Sequence, residues 1–204
     1  MPKLKIILAL LFSGFLLIFT PTFSQVEMDF TRSEIEPSFI VDFATFQKEN
    51  SENVRLEVYY KIFDNFLSFI KKEESFEAHY EIQVKVLSKQ NRQITGNTIE
   101  EGYQVKSYKE TISLNDFIIN KLNLEVPIGD FKLQVTLIDK NSHKTTISNF
   151  ELKIPHYHKK TIAISDIEFA QEISDSIPNS HFNKKDKQII PKVQNLFGGE
   201  DQKV

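Results

Sequence analysis

The sequence predicts an all-β protein: an antiparallel immunoglobulin-like β-sandwich of about eight strands, preceded by a signal peptide and followed by a mostly irregular C-terminal tail. Three observations lead there. From Phe39 to Ile154 apolar residues recur with a period of two, as on a strand with one buried and one solvated face. Turn residues separate several of the apolar runs. No long segment shows the 3.6-residue period of an amphipathic helix. One-sided alternation also fits a closed barrel, which stands as the alternative.

The elements follow in chain order. Residues 1–24 read as a signal peptide. Lys3 and Lys5 give a positive start, Ile6 to Phe19 an apolar run, and Thr22 and Ser24 the small residues before a cut at Gln25. A spanning helix needs about 20 apolar residues. This run is shorter and ends at Pro21, so cleavage is expected rather than a retained anchor, with no membrane span afterwards. The expected location is the periplasm, the outer-membrane surface or the extracellular space. Residues 25–38 are a lead-in. Residues 39–173 are the sandwich domain, clearest over 39–155. Residues 174–204 read as a flexible tail or linker, polar and broken by Pro178, Pro191, Gly198 and Gly199.

Within the domain, Phe39–Phe46 is the first strand, and the polar run Lys48–Asn53 closes it. In "VRLEVYYKI", Val54, Leu56, Val58, Tyr60 and Ile62 point inward, with Arg55, Glu57 and Lys61 outward. Phe66–Lys71 is a short strand. "FEAHYEIQVKV" repeats the alternation over Phe76–Val86, with His79 outward. Asn91–Gly102 holds Gly96, Asn97 and two acids and reads as a long, partly extended connection, followed by a strand over Gln104–Ser113. "NLEV" over Asn123–Val126 is another strand, and "VPIG" suits a type I turn. Phe131–Asp139 and Thr145–Ile154 form a hairpin across Asp139–Lys144. The alternation of the second breaks near Ser148–Asn149, as a β-bulge would cause. Beyond Pro155, Ile162–Phe169 fits a kinked strand pair better than a short helix opened by Ser165.

Composition excludes several function classes. The chain has no cysteine, so neither disulfides nor cysteine nucleophiles nor cysteine-linked lipid are available. Its formal net charge is −3 and it has no basic block, so it lacks the footprint of a nucleic-acid binder. Motifs of serine hydrolases, zinc proteases and nucleotide binders are absent.

The remaining candidates are few. His156 and His158 alternate beyond Pro155 and are weak metal candidates, since a zinc site needs three or four ligands and His143 falls at the far end of its strand. A strand end stopped by Pro155 is the competing reading. Asp139, Asn141 and His143 echo a calcium loop, but Lys144 and Phe150 stand where Gly and Glu belong, so a hairpin turn is expected. Glu73–Glu74 and Glu100–Glu101 read as solvated pairs. His79 reads as an exposed strand residue, and His181 falls in the tail. Tyr59 interrupts a charged strand face, and Phe63, Phe66 and Phe69 follow. They either finish the core or form an apolar surface for a partner.

A family resemblance adds to this. "LEVYY" at Leu56–Tyr60, "FEAHYEIQVKVL", "VPIGDFKLQVTLIDKNSHKT", "SDI" at Ser165–Ile167 and "FNKKDKQIIP" resemble the amino-terminal β-rich region of GWxTD domain-containing proteins of bacterial envelopes. The resemblance runs from about Phe39 to Pro191. The motif that names the family is absent, and the chain has no tryptophan. It resembles a front module that stops where a further domain would begin. The resemblance implies an exported envelope protein and supplies no functional residue. The expected function is a non-enzymatic structural or protein-interaction module, with no cofactor and another envelope protein or domain as partner. A metal-dependent hydrolase and a carbohydrate- or peptide-binding sandwich are the alternatives.

Overall fold

A computed structural model describes residues 39–48, 51–155 and 164–193. The signal peptide, the lead-in and the pair His156 and His158 lie outside the described residues. The strands are β1 (Phe39–Gln47), β2 (Asn53–Phe63), β3 (Ile70–Lys72), β4 (Ser75–Leu87), β5 (Gln93–Val105), β6 (Phe117–Pro127), β7 (Gly129–Asp139), β8 (Thr145–Ile154), β9 (Ala170–Asp175), β10 (Asn183–Lys184) and β11 (Lys187–Pro191). Every pairing is antiparallel.

The first sheet has the order β1-β2-β6. In the second, β4 carries β5 along one edge and β7 along the other, and β7 carries β8. The short β3 takes the end of β4 that β7 does not reach. One apolar core joins the two sheets. Val54, Leu56, Val58, Tyr60 and Ile62 of β2 meet Ala78, Tyr80, Ile82, Val84 and Val86 of β4, all at most 2 % exposed. Each run is the inward set that the alternation predicts, and each buried aliphatic side chain contributes about 1.5–3 kcal/mol. Aromatic edges bridge the sheets: the rings of Tyr60 and Tyr80 lie 6.5 Å apart at 78°, and those of Phe43 and Phe150 5.6 Å apart at 65°. Gly129, at φ +142°, opens β7 directly after Pro127 and Ile128, a conformation open to glycine.

The structure corrects five expectations. Residues read as a connection over 91–102 belong to β5, a 13-residue strand. From Thr98 onward its burial alternates, with Ile99, Glu101, Tyr103 and Val105 turned inward, but Glu101 interrupts the apolar set and residues 93–97 are mostly exposed, so the sequence shows no clean apolar alternation. Gly96 lets it approach β4, since a Cβ there would stand 2.6 Å from the Val84 carbonyl oxygen. The strand expected over Gln104–Ser113 ends at Val105, and a single helical turn, α1 (Tyr108–Thr111), follows. Phe66 belongs to a 3-10 turn over Asp64–Phe66, with β3 beginning at Ile70. The pairing of β8 with β7 is continuous through Ser148 and Asn149, so there is no bulge. Ile147 simply faces out, 53 % exposed, and Phe150, Leu152 and Ile154 face the core. Among the described strands the register shifts instead at Val86/Leu87 and at Ile190/Pro191.

The fifth correction bears on function. Residues 164–169 form no strand, whereas the stretch from Ser174 read as an irregular tail supplies β10 and β11, which join β9 in a third sheet, order β10-β11-β9. Residues 164–193, hereafter the strap, lie against the outer face of the first sheet. Val193 is buried there with Ile40, Ala44 and Tyr59.

Candidate functional site

Under the strap the outer face of β2 carries charge out of water. Glu57 and Tyr59 are each 2 % exposed. Both were placed on this face by the alternation, but the face is covered rather than solvated. The Glu57 carboxylate accepts hydrogen bonds from Tyr59, Lys121 and Lys184 and forms an ion pair with Arg55. Tyr59 Oη lies 2.8 Å from Oε2, Lys121 Nζ of β6 3.0 Å and Lys184 Nζ of the strap 3.0 Å, while Arg55 Nε lies 2.9 Å from Oε1. The Lys121 side chain is 5 % exposed and the Lys184 side chain 20 %. Lys184 also pairs with Glu168 and sits 4.4 Å from the Phe46 ring centroid. Burial alone would push Glu57 up, but the hydrogen bonds from Lys184, Lys121 and Tyr59 outweigh it and hold the carboxyl below its ordinary range. Burial and the carboxylates of Glu57 and Glu168 push the Tyr59 phenol far up. Asp42 is raised by burial, against the Phe43 N–H bond, with Glu168 adding repulsion.

A second set of bonds ties the strap to the β1 edge. Asp166 Oδ2 accepts from Thr45 N at 2.7 Å and Thr45 Oγ1 at 2.6 Å, and Asp166 N donates to Thr45 O at 3.1 Å. Ser165 Oγ accepts from Gln47 N at 3.2 Å. The arrangement is a charged clamp. Its carboxylate is saturated by donors, its lysines are paired, and its chemistry is cohesion between β2, β6 and the strap.

A different carboxylate lacks such partners. Asp64, 0 % exposed, has one bond to its side chain, from Tyr103 Oη at 3.3 Å to Oδ2, and Oδ1 has none. Burial pushes its pKa up to about 6; the Tyr103 bond opposes this, and Asp116 and Glu110 add repulsion. Its backbone N–H holds the following loop by donating to Asp116 O at 3.0 Å.

The predicted candidates fall as follows. Asp139 accepts from Ser68 N, Asn141 N, Ser142 N and Ser142 Oγ, and Asn141 Nδ2 donates to Ser68 O and Glu77 O. The "DKNSH" stretch is thus a pinned hairpin turn, with His143 at φ +60°. Burial tends to raise Asp139, but the bonds from Ser142 and Ser68 prevail and lower it. His79 lies on the outer face, half exposed, 3.6 Å from Glu77. Tyr59, Phe63, Phe66 and Phe69 do not form an open surface. Tyr59 is covered by the strap, Phe63 packs beside it, and Phe66 and Phe69 pack against the core. Among the described residues no group of three or more His, Asp or Glu side chains is placed to hold a metal ion, and no helix is long and apolar enough to cross a membrane. Lys184, Asp166 and Glu168 escaped the sequence reading. The available signal was Tyr59, an aromatic on an otherwise charged face, which implied a cover.

The described residues define an antiparallel all-β protein with a clamped carboxyl-terminal strap. No family model matches the chain, and no curated protein is detectably similar to it.

Proposed function

We propose that this protein is an exported immunoglobulin-like β-sandwich that serves as a non-enzymatic structural or protein-interaction module of the bacterial cell envelope. The strand order supports the sandwich. Sheets β1-β2-β6 and β5-β4-β7-β8, with the chain crossing between them after β2, β5 and β6, suit a Greek-key arrangement of seven strands. Export rests on the amino-terminal signal pattern, and the envelope on the resemblance to GWxTD proteins.

The interaction role is carried by one observation. The strap turns Lys184 and Glu168 toward the first sheet and its isoleucines to solvent: Ile164 is 83 % exposed, Ile167 76 %, Ile173 65 % and Ile177 53 %. So many large apolar residues on one short exposed segment mark a contact surface. The test is binding of an environment-sensitive apolar dye. The wild type is expected to bind it, and Ile167→Ser with Ile173→Ser to lose about half of that signal with unchanged circular dichroism. A wild-type protein that binds no dye overturns the role.

A further inference from the structure

We infer that β8 is a docking edge, and that its occupant is β8 of a second copy of this chain, paired antiparallel about a two-fold axis. The inference goes beyond the strap-centred reading above and does not depend on it.

Four long strands border the two large sheets: β1, β6, β5 and β8. Free edges present unpaired backbone groups and invite further strands unless they are blocked. Three of the four are blocked by side-chain oxygens on outward N–H groups. On β1, Asp42 Oδ1 accepts from Phe43 N at 2.8 Å, and Asp166 and Ser165 of the strap take Thr45 N and Gln47 N. On β6, Asn120 Oδ1 accepts from Lys121 N at 2.8 Å. On β5, Asn97 Oδ1 accepts from Thr98 N at 2.8 Å. The three-residue β3 is protected by its shortness and by Lys71 and Lys72.

The edge of β8 has no such guard among the described residues. It is ten residues long with a continuous register. Asp139 N donates to Lys144 O at 2.9 Å, which makes residues 139 and 144 a hydrogen-bonded pair. Strict alternation from there turns the N–H and C=O of Ile147, Asn149, Glu151 and Lys153 away from β7. The Asn149 side chain reaches back to β7, where its Oδ1 accepts from Gln134 Nε2 at 3.1 Å.

Charge complementarity selects the occupant. With two β8 strands antiparallel about Leu152, Glu151 of each copy stands opposite Lys153 of the other, and the contact is made twice by symmetry. Both residues are exposed in the single copy. On the inner side the same register sets Phe150 opposite Ile154, so the two cores continue across the seam.

Sedimentation velocity of the purified protein, up to about 1 mM so that even millimolar association registers, tests this. A reversible dimer is expected. Glu151→Lys and Lys153→Glu alone should each weaken it about tenfold, since each sets like charges opposite one another. The two together should restore it. Each reversal also meets a like charge on β7, Lys132 opposite residue 151 or Asp130 opposite residue 153, so circular dichroism unchanged from the wild type is required beside each sedimentation result. A wild type that stays monomeric, or a dimer indifferent to the single reversals, overturns the proposal.

Discussion

Replacing Glu57 with alanine is expected to lower the free energy of unfolding by about 3–5 kcal/mol. The loss is large because of what remains. Lys121 is left nearly fully buried beneath the strap with its carboxylate partner gone, and Lys184 loses one of its two. A buried charge without a partner costs more than the intact pair ever gains. Glu57→Met with Lys121→Met should therefore recover most of the loss, and a double-mutant cycle would report a coupling well outside additivity. Urea unfolding followed by circular dichroism measures Glu57→Met, Lys121→Met and the double change; equal destabilisation by Glu57→Met and the double change would sink the account. Acid adds an independent readout. The folded-state pKa of Glu57 is lowered, so its stabilisation is complete above the ordinary carboxylate pKa. It fades as pH falls through the folded value. The wild type should lose stability below about pH 4, and Glu57→Ala should lose less over that interval.

The second large effect has the opposite sign. Asp64→Asn is expected to stabilise the protein by about 1–2 kcal/mol at pH 7–8. The rise from 3.8 to about 6 is worth about 3 kcal/mol as an upper bound, and the buried amide, still short of partners at the site of Oδ1, gives part of that back. Because the folded-state pKa is the higher one, the penalty is absent below about pH 4, where both states hold the proton. It grows between that point and about pH 6 and is constant above. Stability of the variant minus that of the wild type should thus be near zero at pH 4 and positive at pH 8. Equal gains at both would show that the effect is packing, with no part in it for the charge.

Legibility in the sequence followed exposure. β2, β4, β7 and β8 each have one face on the shared core, and their alternation revealed both the strands and the inward residues. In β5 the inward set is only half-buried over most of its length and is broken by Glu101, and Gly96, which the close approach to β4 requires, looks like a loop residue. The clamp was hidden for a related reason. Parity says which side of a strand Glu57 occupies, but nothing local says what lies on that side. Its lid comes from residues 164–193, and the decisive pairing, Glu57 with Lys184, joins positions far apart in the chain. The strap itself is held by a few specific bonds rather than by a wide apolar stripe, so it reads as a tail. Ile147 misled in the other direction, since an outward isoleucine mimics a slipped register.

The clamp also sets how the fold would carry mechanical load. Tension entering the described chain at Val193 meets the strap before either large sheet. The strap is fastened by the Thr45–Asp166 bonds and the salt bridges of Lys184, whereas β2 and β6 are joined along eleven consecutive residue pairs. The fastening is therefore expected to yield first in single-molecule pulling, with both large sheets still paired. The clamp is then a mechanical fuse, with a breaking point that salt and acid would tune and a core that outlasts it.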